Sequence, residues 1–231
     1  MIYITGDIHG QEERISEISA FCRENNTTRD DILIVLGDVG VNYWLDSRDD
    51  AVKEMLSEIP ITFVCIRGNH EARPESVGTY KEVSMFGGVV YREEKYPSVI
   101  FLRDGGEYTI GGKTFLAIGG AYSVDKDYRL AFGYKWFPDE QLSEEERHEI
   151  LEAVRGHSYD YIITHTCPFE FQPTDLFLSS IDQSTVDKTT ELYLGCIERS
   201  VSYKKLYFGH FHANRNCGRY EMLFDKIKLI G

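Results

Sequence analysis

The sequence predicts an α/β fold in which helices pack against a mainly parallel β-sheet. Three short apolar, β-branched stretches alternate with two helical stretches within residues 1–65, which is typical of parallel strands joined by right-handed crossovers. Short β-type segments separated by glycine pairs follow, and they predict an antiparallel meander in a second sheet. No repeat, low-complexity segment or clear linker interrupts the chain, so residues 1–231 are predicted to form a single domain.

The first part of the chain is predicted to hold three strands and two helices. Each strand is short, rich in apolar or β-branched residues, and ends at a glycine-containing turn. Ile15, Ile18 and Cys22 recur on one face of the first helix. The predicted elements are strands 2–5, 32–36 and 61–65 and helices 11–25 and 47–58.

The remaining two thirds are predicted to mix strands, helices and one long loop. Ser143 and Glu146 form a capping box, which predicts that a helix begins there. Residues 166–185 hold two prolines and several aromatic residues and are predicted to form a loop or lid; loops of this length are often functional. The other predicted elements are strands 83–91, 99–102, 107–110, 113–118, 161–164, 206–208 and 219–230, and helices 143–155 and 186–200.

Composition limits the classes of function. The chain has 231 residues, of which 42% are hydrophobic and 27% charged, as expected of a globular protein with a sizeable core. The formal net charge of −13 argues against a protein that coats long nucleic acids, because phosphate contacts require lysine and arginine. A phosphate ester remains an acceptable substrate, because bound cations can reverse the field inside an acidic site.

Cysteine usage and the N-terminal sequence predict a cytoplasmic protein. The five cysteines include no C-x-x-C pair and are odd in number, which favours free thiols over a disulfide framework or a structural zinc site. The chain passes from Met1 directly into a predicted strand, without the basic and apolar regions of a signal peptide. No segment is apolar over the length that a membrane span needs.

Polar side chains that can bind a metal or move a proton follow five of the predicted strands. Five of the seven histidines lie in these positions, and only His148 and His157 lie elsewhere. Because ligands bind at the carboxyl edge of α/β sheets, these side chains are expected to converge. Asp7 and His9 are separated by one residue, as are His210 and His212. Residues i and i+2 of an extended backbone point to the same side, so both members of each pair can reach one centre. The groups are Asp7 and His9, Asp38, Asn69 and His70, His165, and His210 and His212.

The ligand types indicate which metals the site would bind. Carboxylates, imidazoles and one amide, without cysteine, suit manganese first, with iron or zinc as alternatives. Seven candidate ligands besides His70 are too many for a single tetrahedral ion. They suit two adjacent divalent ions, a pair that typically catalyses hydrolysis at phosphorus.

The order of these motifs resembles the calcineurin-like metallophosphoesterase superfamily. Five blocks match its pattern in sequence order between residues 6 and 212, and although each is weak alone, together they are specific. The resemblance implies two facing mixed β-sheets flanked by helices, a four-layer sandwich, with a dinuclear metal site at the strand ends. The blocks are Gly6-Asp7-Ile8-His9, Gly37-Asp38, Gly68-Asn69-His70-Glu71, His165 and Gly209-His210-Phe211-His212.

The resemblance also implies a role for each ligand. Asp7, His9 and His212 would hold one metal, and Asn69, His165 and His210 would hold the other. Asp38 would bridge the two ions. His70 would stay off the metals, help to position the phosphate and protonate the leaving oxygen.

The second block departs from one branch of the superfamily. In Ser/Thr protein phosphatases and diadenosine tetraphosphate hydrolases, which the segment 67–71 resembles, Gly-Asp is followed by a further Asp, an Arg and a Gly. Here Gly37-Asp38 continues as Val39-Gly40-Val41-Asn42-Tyr43, so the arginine that grips phosphate is absent from its usual place. Three arginines are candidates to replace it: Arg67, Arg73 and Arg129.

These features together predict a dinuclear metal-dependent phosphoesterase in which a hydroxide between the metals attacks phosphorus. Small phosphodiesters or nucleotides are the favoured substrates, because Tyr43, Trp44 and the loop phenylalanines could stack on a base or aryl group. The alternatives are a phosphomonoesterase or protein phosphatase of the same superfamily, a nuclease, and a scaffold that keeps the fold without catalysis. A scaffold would be expected to have lost ligands, above all His70, and none is missing. Neither a membrane nor a long nucleic acid is an expected partner.

Overall fold

Two mixed β-sheets packed face to face form the centre of the computed structural model, which describes residues 1–231. The predicted strand–helix alternation of the first part is confirmed. Its strands pair in parallel, as the crossover argument requires. The elements are β1 (Ile2–Thr5), α1 (Glu12–Glu24), β2 (Ile32–Val35), α2 (Ser47–Glu58) and β3 (Thr62–Cys65).

The next three strands extend this first sheet: β4 (Tyr80–Met85), β5 (Gly88–Glu93) and β6 (Val99–Leu102). Strand β6 lies parallel to β3, and β5 and β4 follow it in antiparallel order. The prediction that the whole meander belongs to a second sheet was therefore wrong for these strands. All four residues of β6 are buried, and such a strand must be covered on both faces, which the position beside β3 provides.

The second sheet begins with the hairpin of β7 (Gly106–Ile110) and β8 (Lys113–Ile118). The remaining elements are α3 (Lys126–Phe132), α4 (Glu144–Val154), β9 (Ser158–Thr164), α5 (Thr189–Ser200), β10 (Ser202–Phe208), β11 (Arg215–Cys217), β12 (Tyr220–Met222) and β13 (Lys228–Leu229). The strand order of the second sheet is β11-β12-β10-β9-β8-β7, and its central strands β8, β9 and β10 run parallel. Strand β13 returns to the first sheet, whose order is β13-β1-β2-β3-β6-β5-β4.

Three apolar layers hold the sheets and helices together, so the predicted four-layer sandwich is confirmed. The alternation of side chains along each strand assigns residues to layers. In β3, Phe63 packs in the layer under α1 and α2, whereas Val64 packs in the layer between the two sheets. In β8, Phe115 packs in that same middle layer, and Leu116 packs in the layer under α4 and α5.

Two segments at the carboxyl edges of the sheets differ from the sequence prediction or refine it. Helix α3 was not among the predicted elements, because it has only seven residues and buries none of them, so no core-facing pattern marks it in the sequence. The predicted loop 166–185 contains two single 3₁₀ turns, at Phe169–Phe171 and Thr174–Leu176. None of the helices combines the length and the hydropathy that crossing a bilayer requires.

Candidate metal centre and cleft

The loops that follow β1, β2, β3, β9 and β10 meet where the carboxyl edges of the two sheets come together. Backbone hydrogen bonds join these loops directly. The amide of His9 donates to the carbonyl of Asp38 over 2.7 Å, and the amide of Gly209 donates to that of His165 over 2.9 Å. Each bond joins the motifs of two neighbouring strands of one sheet through the backbone alone.

Two glycines in the motifs are required by this close approach. A Cβ atom on Gly68 would overlap the carboxylate of Asp38, and one on Gly209 would overlap that of Asp7. A glycine therefore precedes a ligand in these motifs because the space of its side chain is taken by the carboxylate of another motif.

Left-handed backbone turns aim four of the candidate ligands. His9, Asp38, His210 and His212 have φ angles of 54°, 48°, 68° and 49°. Non-glycine residues adopt this region rarely and at some cost, and they concentrate at functional sites. The expectation that Asp7-x-His9 and His210-x-His212 converge through extended alternation was wrong in its mechanism, because left-handed turns bring the histidines inward instead.

Asp7, His9 and His212 form the first cluster of ligand atoms, as the sequence predicts. Their ligand atoms all lie within 4.8 Å of one another. The Nε2 atoms of His9 and His212 are 2.9 Å apart, and Asp7 Oδ2 lies 3.4 Å from His212 Nε2. Asp7 is fully buried, whereas His9 is half-buried and His212 is exposed.

Asp38, His165 and Asn69 form the second cluster. His165 Nε2 lies 2.8 Å from Asn69 Oδ1 and 3.5 Å from Asp38 Oδ2. His165 Nδ1 lies 2.7 Å from the carbonyl oxygen of Leu36, which can only accept, so Nδ1 carries the proton. Burial lowers the pKa of His165, but the carboxylates of Asp38 and Asp7 outweigh burial and raise it to about 9 in the metal-free protein. A metal bound at Nε2 would therefore displace a proton, and the Leu36 carbonyl would then orient the ring as is usual for a metal-ligating histidine.

Two placements leave the predicted roles partly open. Asp7 is the carboxylate that belongs to both clusters, because Asp7, Asp38 and His165 also lie within the same 4.8 Å limit. The bridging role of Asp38 stays a prediction. His210 is in neither cluster, although its ring packs at 5.0 Å from that of His165.

The donor set fits bound cations. Asp7 Oδ2 is buried and has no hydrogen-bond partner, which is costly for a carboxylate unless a cation balances it. Burial raises the pKa of Asp38, but the imidazoles of His70 and His165 outweigh burial and hold the pKa well below its usual value. Burial lowers the pKa of His210 to about 3, which keeps this imidazole neutral and able to ligate. The clusters therefore present anionic and lone-pair atoms to shared centres, as metals require.

A hydrogen-bonded chain that the sequence did not reveal orients Asn69. The Asn69 amide nitrogen donates to Ser123 Oγ over 2.8 Å, and Ser123 Oγ donates to Glu140 Oε2 over 2.5 Å. A carboxylate can only accept, so the direction of both bonds is fixed and the Asn69 amide oxygen must face the second cluster. All three residues are at most 2% exposed.

Glu71 links the second and third motifs through hydrogen bonds to their backbones. Its carboxylate accepts from the amides of Gly40, over 3.1 Å, and Gly68, over 3.0 Å. Burial, together with the charge of Asp38, raises the pKa of Glu71 to about 8. Its position indicates a structural role for the glutamate of this motif, because both oxygens are occupied by backbone donors.

Of the three candidate arginines, only Arg129 lies in the site. Its guanidinium, held by Asp125 over 2.7 Å and by the hydroxyl of Tyr43 over 3.2 Å, places Nη2 3.3 Å from His70 Nε2. Arg129 is carried by α3, the helix that the sequence pattern did not reveal.

The other two arginines lie outside the site, so their assignment as substrate ligands is corrected. Arg67 is 2% exposed; it pairs with Asp104 over 3.0 Å and donates to the carbonyl of Glu140 over 2.7 Å. Arg73 is also buried and pairs with Glu146 over 2.6 Å. Both guanidiniums tie loops together within the protein, and neither lines the cavities at the metal clusters.

Two cavities open at the clusters. We call the first the cleft; it has a volume of about 550 Å³, and its lining includes His9, His70, Arg129 and His212. We call the second the side pocket; it has a volume of about 390 Å³ and shares Asp38, His70 and His212 with the cleft. Residues of the 166–185 segment and the start of α5 line the side pocket. Both volumes are in the range in which small molecules bind.

Comparison with known proteins places this site in a family. The family model described as calcineurin-like phosphoesterase matches residues 1–214, a range that includes every candidate ligand. Among solved structures, the crystal structure of TT1561 of Thermus thermophilus superposes with a TM-score of 0.53 and 13% identity, over 96% of this chain and 87% of that one. A second solved structure superposes with a TM-score of 0.54 and 13% identity, over 96% and 88% of the two chains. At this identity the structural likeness concerns the fold alone. No curated protein matched the sequence.

Proposed function

The chain belongs to the calcineurin-like phosphoesterase family, and from this membership we propose that it hydrolyses small phosphate esters at a two-metal centre. The observation that carries the proposal is the convergence of carboxylate, imidazole and amide ligands at one edge of the fold, with Asp7 Oδ2 buried and unpartnered. We propose manganese as the ion, with iron or zinc as alternatives, because the set contains oxygen and imidazole ligands and no thiolate.

The ligands would divide between two sites. Asp7, His9 and His212 would hold one ion. Asn69, His165 and His210 would hold the other, with Asp38 between them. When bound, two such ions would lower the pKa of a water molecule and neutralise charge on the phosphoryl oxygens.

His70 would act as the general acid on the leaving oxygen. Its side chain is 21% exposed, and its Nε2 faces the cleft 3.8 Å from Asp38 Oδ2. Burial lowers the pKa of His70 in the free protein. An anionic phosphoryl group beside the ring would favour the protonated form, because opposite charges within a few ångströms raise the pKa of an imidazole. Substrate binding would thus help to supply the proton that the leaving group needs.

Arg129 would contact the phosphoryl oxygens. Asp125 and Tyr43 hold its guanidinium 3.3 Å from His70, so the arginine and the acid would act on the same group. Because the guanidinium is already held in place, little free energy is needed to reorder this side chain when substrate binds. It would replace the arginine that the second motif lacks.

Small phosphodiesters or nucleotides are the proposed substrates, ahead of phosphoserine peptides. A monoester dianion brings more negative charge into the site than a diester monoanion, and the chain has a net charge of −13. Only one of the three candidate arginines reaches the cleft to offset that charge. A long polynucleotide is not a proposed substrate, for the same reason of charge.

The experiment is a comparison of kcat/KM for an aryl phosphodiester, an aryl phosphomonoester and a phosphoserine peptide, with protein loaded in turn with Mn²⁺, Fe²⁺ and Zn²⁺. We expect metal-dependent hydrolysis, with the diester at least equal to the peptide. A peptide preferred by about tenfold or more would overturn the substrate class. Absence of hydrolysis with every metal and every ester would overturn the function.

A further inference from the structure

A glutamate that lines the side pocket carries a buried carboxylate oxygen for which the protein provides no donor. Glu191 lies in the first turn of α5, is 4% exposed and lines the side pocket. Its Oε1 accepts from Thr166 Oγ1 over 2.9 Å, whereas its Oε2 has no hydrogen-bond partner. Buried polar atoms nearly always find partners, and an unpaired carboxylate oxygen is among the most expensive to leave without one.

The lining of the side pocket combines apolar and aromatic side chains with polar ones, among them Lys188. The rings of Phe177 and Phe211 are nearly parallel, with centroids 6.3 Å apart and an interplanar angle of 23°. Ile181 and Val186 add aliphatic surface, and Gln172 also belongs to the lining. A site of this kind suits a flat apolar group whose edge carries hydrogen-bonding atoms.

The side pocket is continuous with the proposed reaction site. Its lining includes the ligands Asp38, Asn69, His210 and His212, and the acid His70. A phosphoryl group held at the metal centre beside His70 would therefore direct one ester substituent into the side pocket. This geometry links the unpaired oxygen of Glu191 to the part of a substrate that lies next to phosphorus.

We propose that the side pocket binds the base of a nucleotide or nucleoside phosphodiester, with Glu191 accepting a hydrogen bond from an amino group of that base. The proposal rests on the proposed function for the position of the phosphate, and it names the substrate class of that site. An unsubstituted aryl group or an alkyl chain would leave Glu191 Oε2 unpaired, so neither explains the buried acceptor. Burial raises the pKa of Glu191, and an amino donor would favour its ionised form.

Free nucleosides test this proposal without the phosphate. Adenosine and inosine differ at the purine position where one carries an amino group and the other a carbonyl, and cytidine and uridine differ in the same way. Dissociation constants of all four are measured by NMR titration of the protein loaded with diamagnetic Zn²⁺. In at least one pair, we expect the nucleoside with the amino group to bind at least about tenfold more tightly than its carbonyl counterpart. The Glu191 carboxylate cannot accept a hydrogen bond from a carbonyl oxygen and would be repelled by it. Equal affinities within both pairs would overturn the proposal.

Two variants separate the hydrogen bond from the apolar wall. Glu191→Gln keeps the shape but can turn an amide NH₂ toward the ligand, so we expect the preference within the pair to disappear. Phe177→Ala removes stacking surface from a half-buried position and should weaken both members of a pair alike. Glu149→Gln, an exposed glutamate of α4, is the matched control and should change neither affinity nor preference. Thermal unfolding confirms that each variant folds. If Glu191→Gln does not fold, the preference of the wild-type protein for the amino nucleosides and the loss of affinity in Phe177→Ala still test the proposal.

Hydrolysis of bis(p-nitrophenyl) phosphate distinguishes this proposal from the proposed function. Protein that hydrolyses this ester but does not discriminate between the nucleosides would overturn the base pocket and leave the phosphoesterase standing. Protein that binds the amino nucleosides selectively but hydrolyses no phosphate ester would support the pocket and overturn the reaction assigned to the centre.

Discussion

Replacement of Ser123 by alanine should weaken the metal site through Asn69, although Ser123 is not a proposed ligand. The change removes two buried hydrogen bonds, from Asn69 to Ser123 and from Ser123 to Glu140. A neutral buried bond contributes about 1 kcal/mol and one to a charged group about 1.5–3 kcal/mol, so about 2.5–4 kcal/mol of bonding is lost. Glu140 keeps its bond from the Ser123 amide, which limits the damage to that residue.

The substitution should affect both folding and metal binding. The free energy of unfolding of the metal-free protein, measured in urea, should fall by about 2.5–4 kcal/mol, because both bonds are present before metal binds. The affinity of the weaker ion should fall about 10–100-fold, because Asn69 can then turn its NH₂ toward the metal. Equilibrium dialysis against graded Mn²⁺ followed by elemental analysis measures this second effect.

Ser158→Ala is the control, since this serine is exposed at the start of β9 and should change neither quantity. A Ser123→Ala protein with unchanged ion affinity would refute the claim that Ser123 and Glu140 orient Asn69 toward the metal. It would mean that Asn69 is not a ligand or that its bond to the metal alone suffices to orient the amide.

Four further substitutions test separate parts of the site and of the fold. Asp38→Asn should lose both bound metal and turnover. His70→Ala should keep both ions, counted by elemental analysis, and its kcat should fall by about 10²–10⁴-fold. Loss of metal from His70→Ala would show that His70 is a ligand. Arg129→Gln should raise KM for an aryl phosphodiester and lower kcat/KM by about tenfold or more, while the metal content stays the same. An unchanged kcat/KM would show that Arg129 does not contact the substrate. Glu221→Gln should lower the free energy of unfolding at pH 7 by roughly 1–2 kcal/mol, because Glu221 accepts from Lys205 and Lys228 over 2.5 Å each. Although burial raises the pKa of Glu221, the two lysines lower it below the ordinary 4.5, so this stabilisation is present above that pH and is lost as pH falls through the folded value. Urea unfolding of both proteins from pH 7 to pH 3 should therefore show curves that converge at low pH, and a constant difference would contradict the linkage.

Local pattern accounts for the elements that could be predicted from the sequence. Strand β1 and helices α2 and α4 follow from apolar runs, from periodicity and from caps formed within a few residues, and the structure confirms them. The partner of β6 could not be predicted in this way. Its apolar run is equally compatible with either sheet, because both sheets are covered on both faces, so no local pattern decides between them.

In the candidate site, too, the residues in local motifs could be predicted, and those joined only by long-range contacts could not. The ligand motifs were visible because each consists of adjacent residues that follow a strand. Ser123 and Asn69 are 54 residues apart, and Arg129 and His70 are 59 apart, so no local signal joins either pair. Glu191 was also missed as a functional candidate, because a glutamate in the first turn of a helix is ordinarily explained by the helix dipole.

The metal content of the wild-type protein decides whether the site binds two ions. Protein is stripped with a chelator, loaded with Mn²⁺, freed of excess ion by gel filtration, and measured by elemental analysis against protein concentration. Two clusters of ligand atoms that share Asp7 should retain two ions per chain. Retention of one ion or none across Mn²⁺, Fe²⁺ and Zn²⁺ would contradict the two-metal centre.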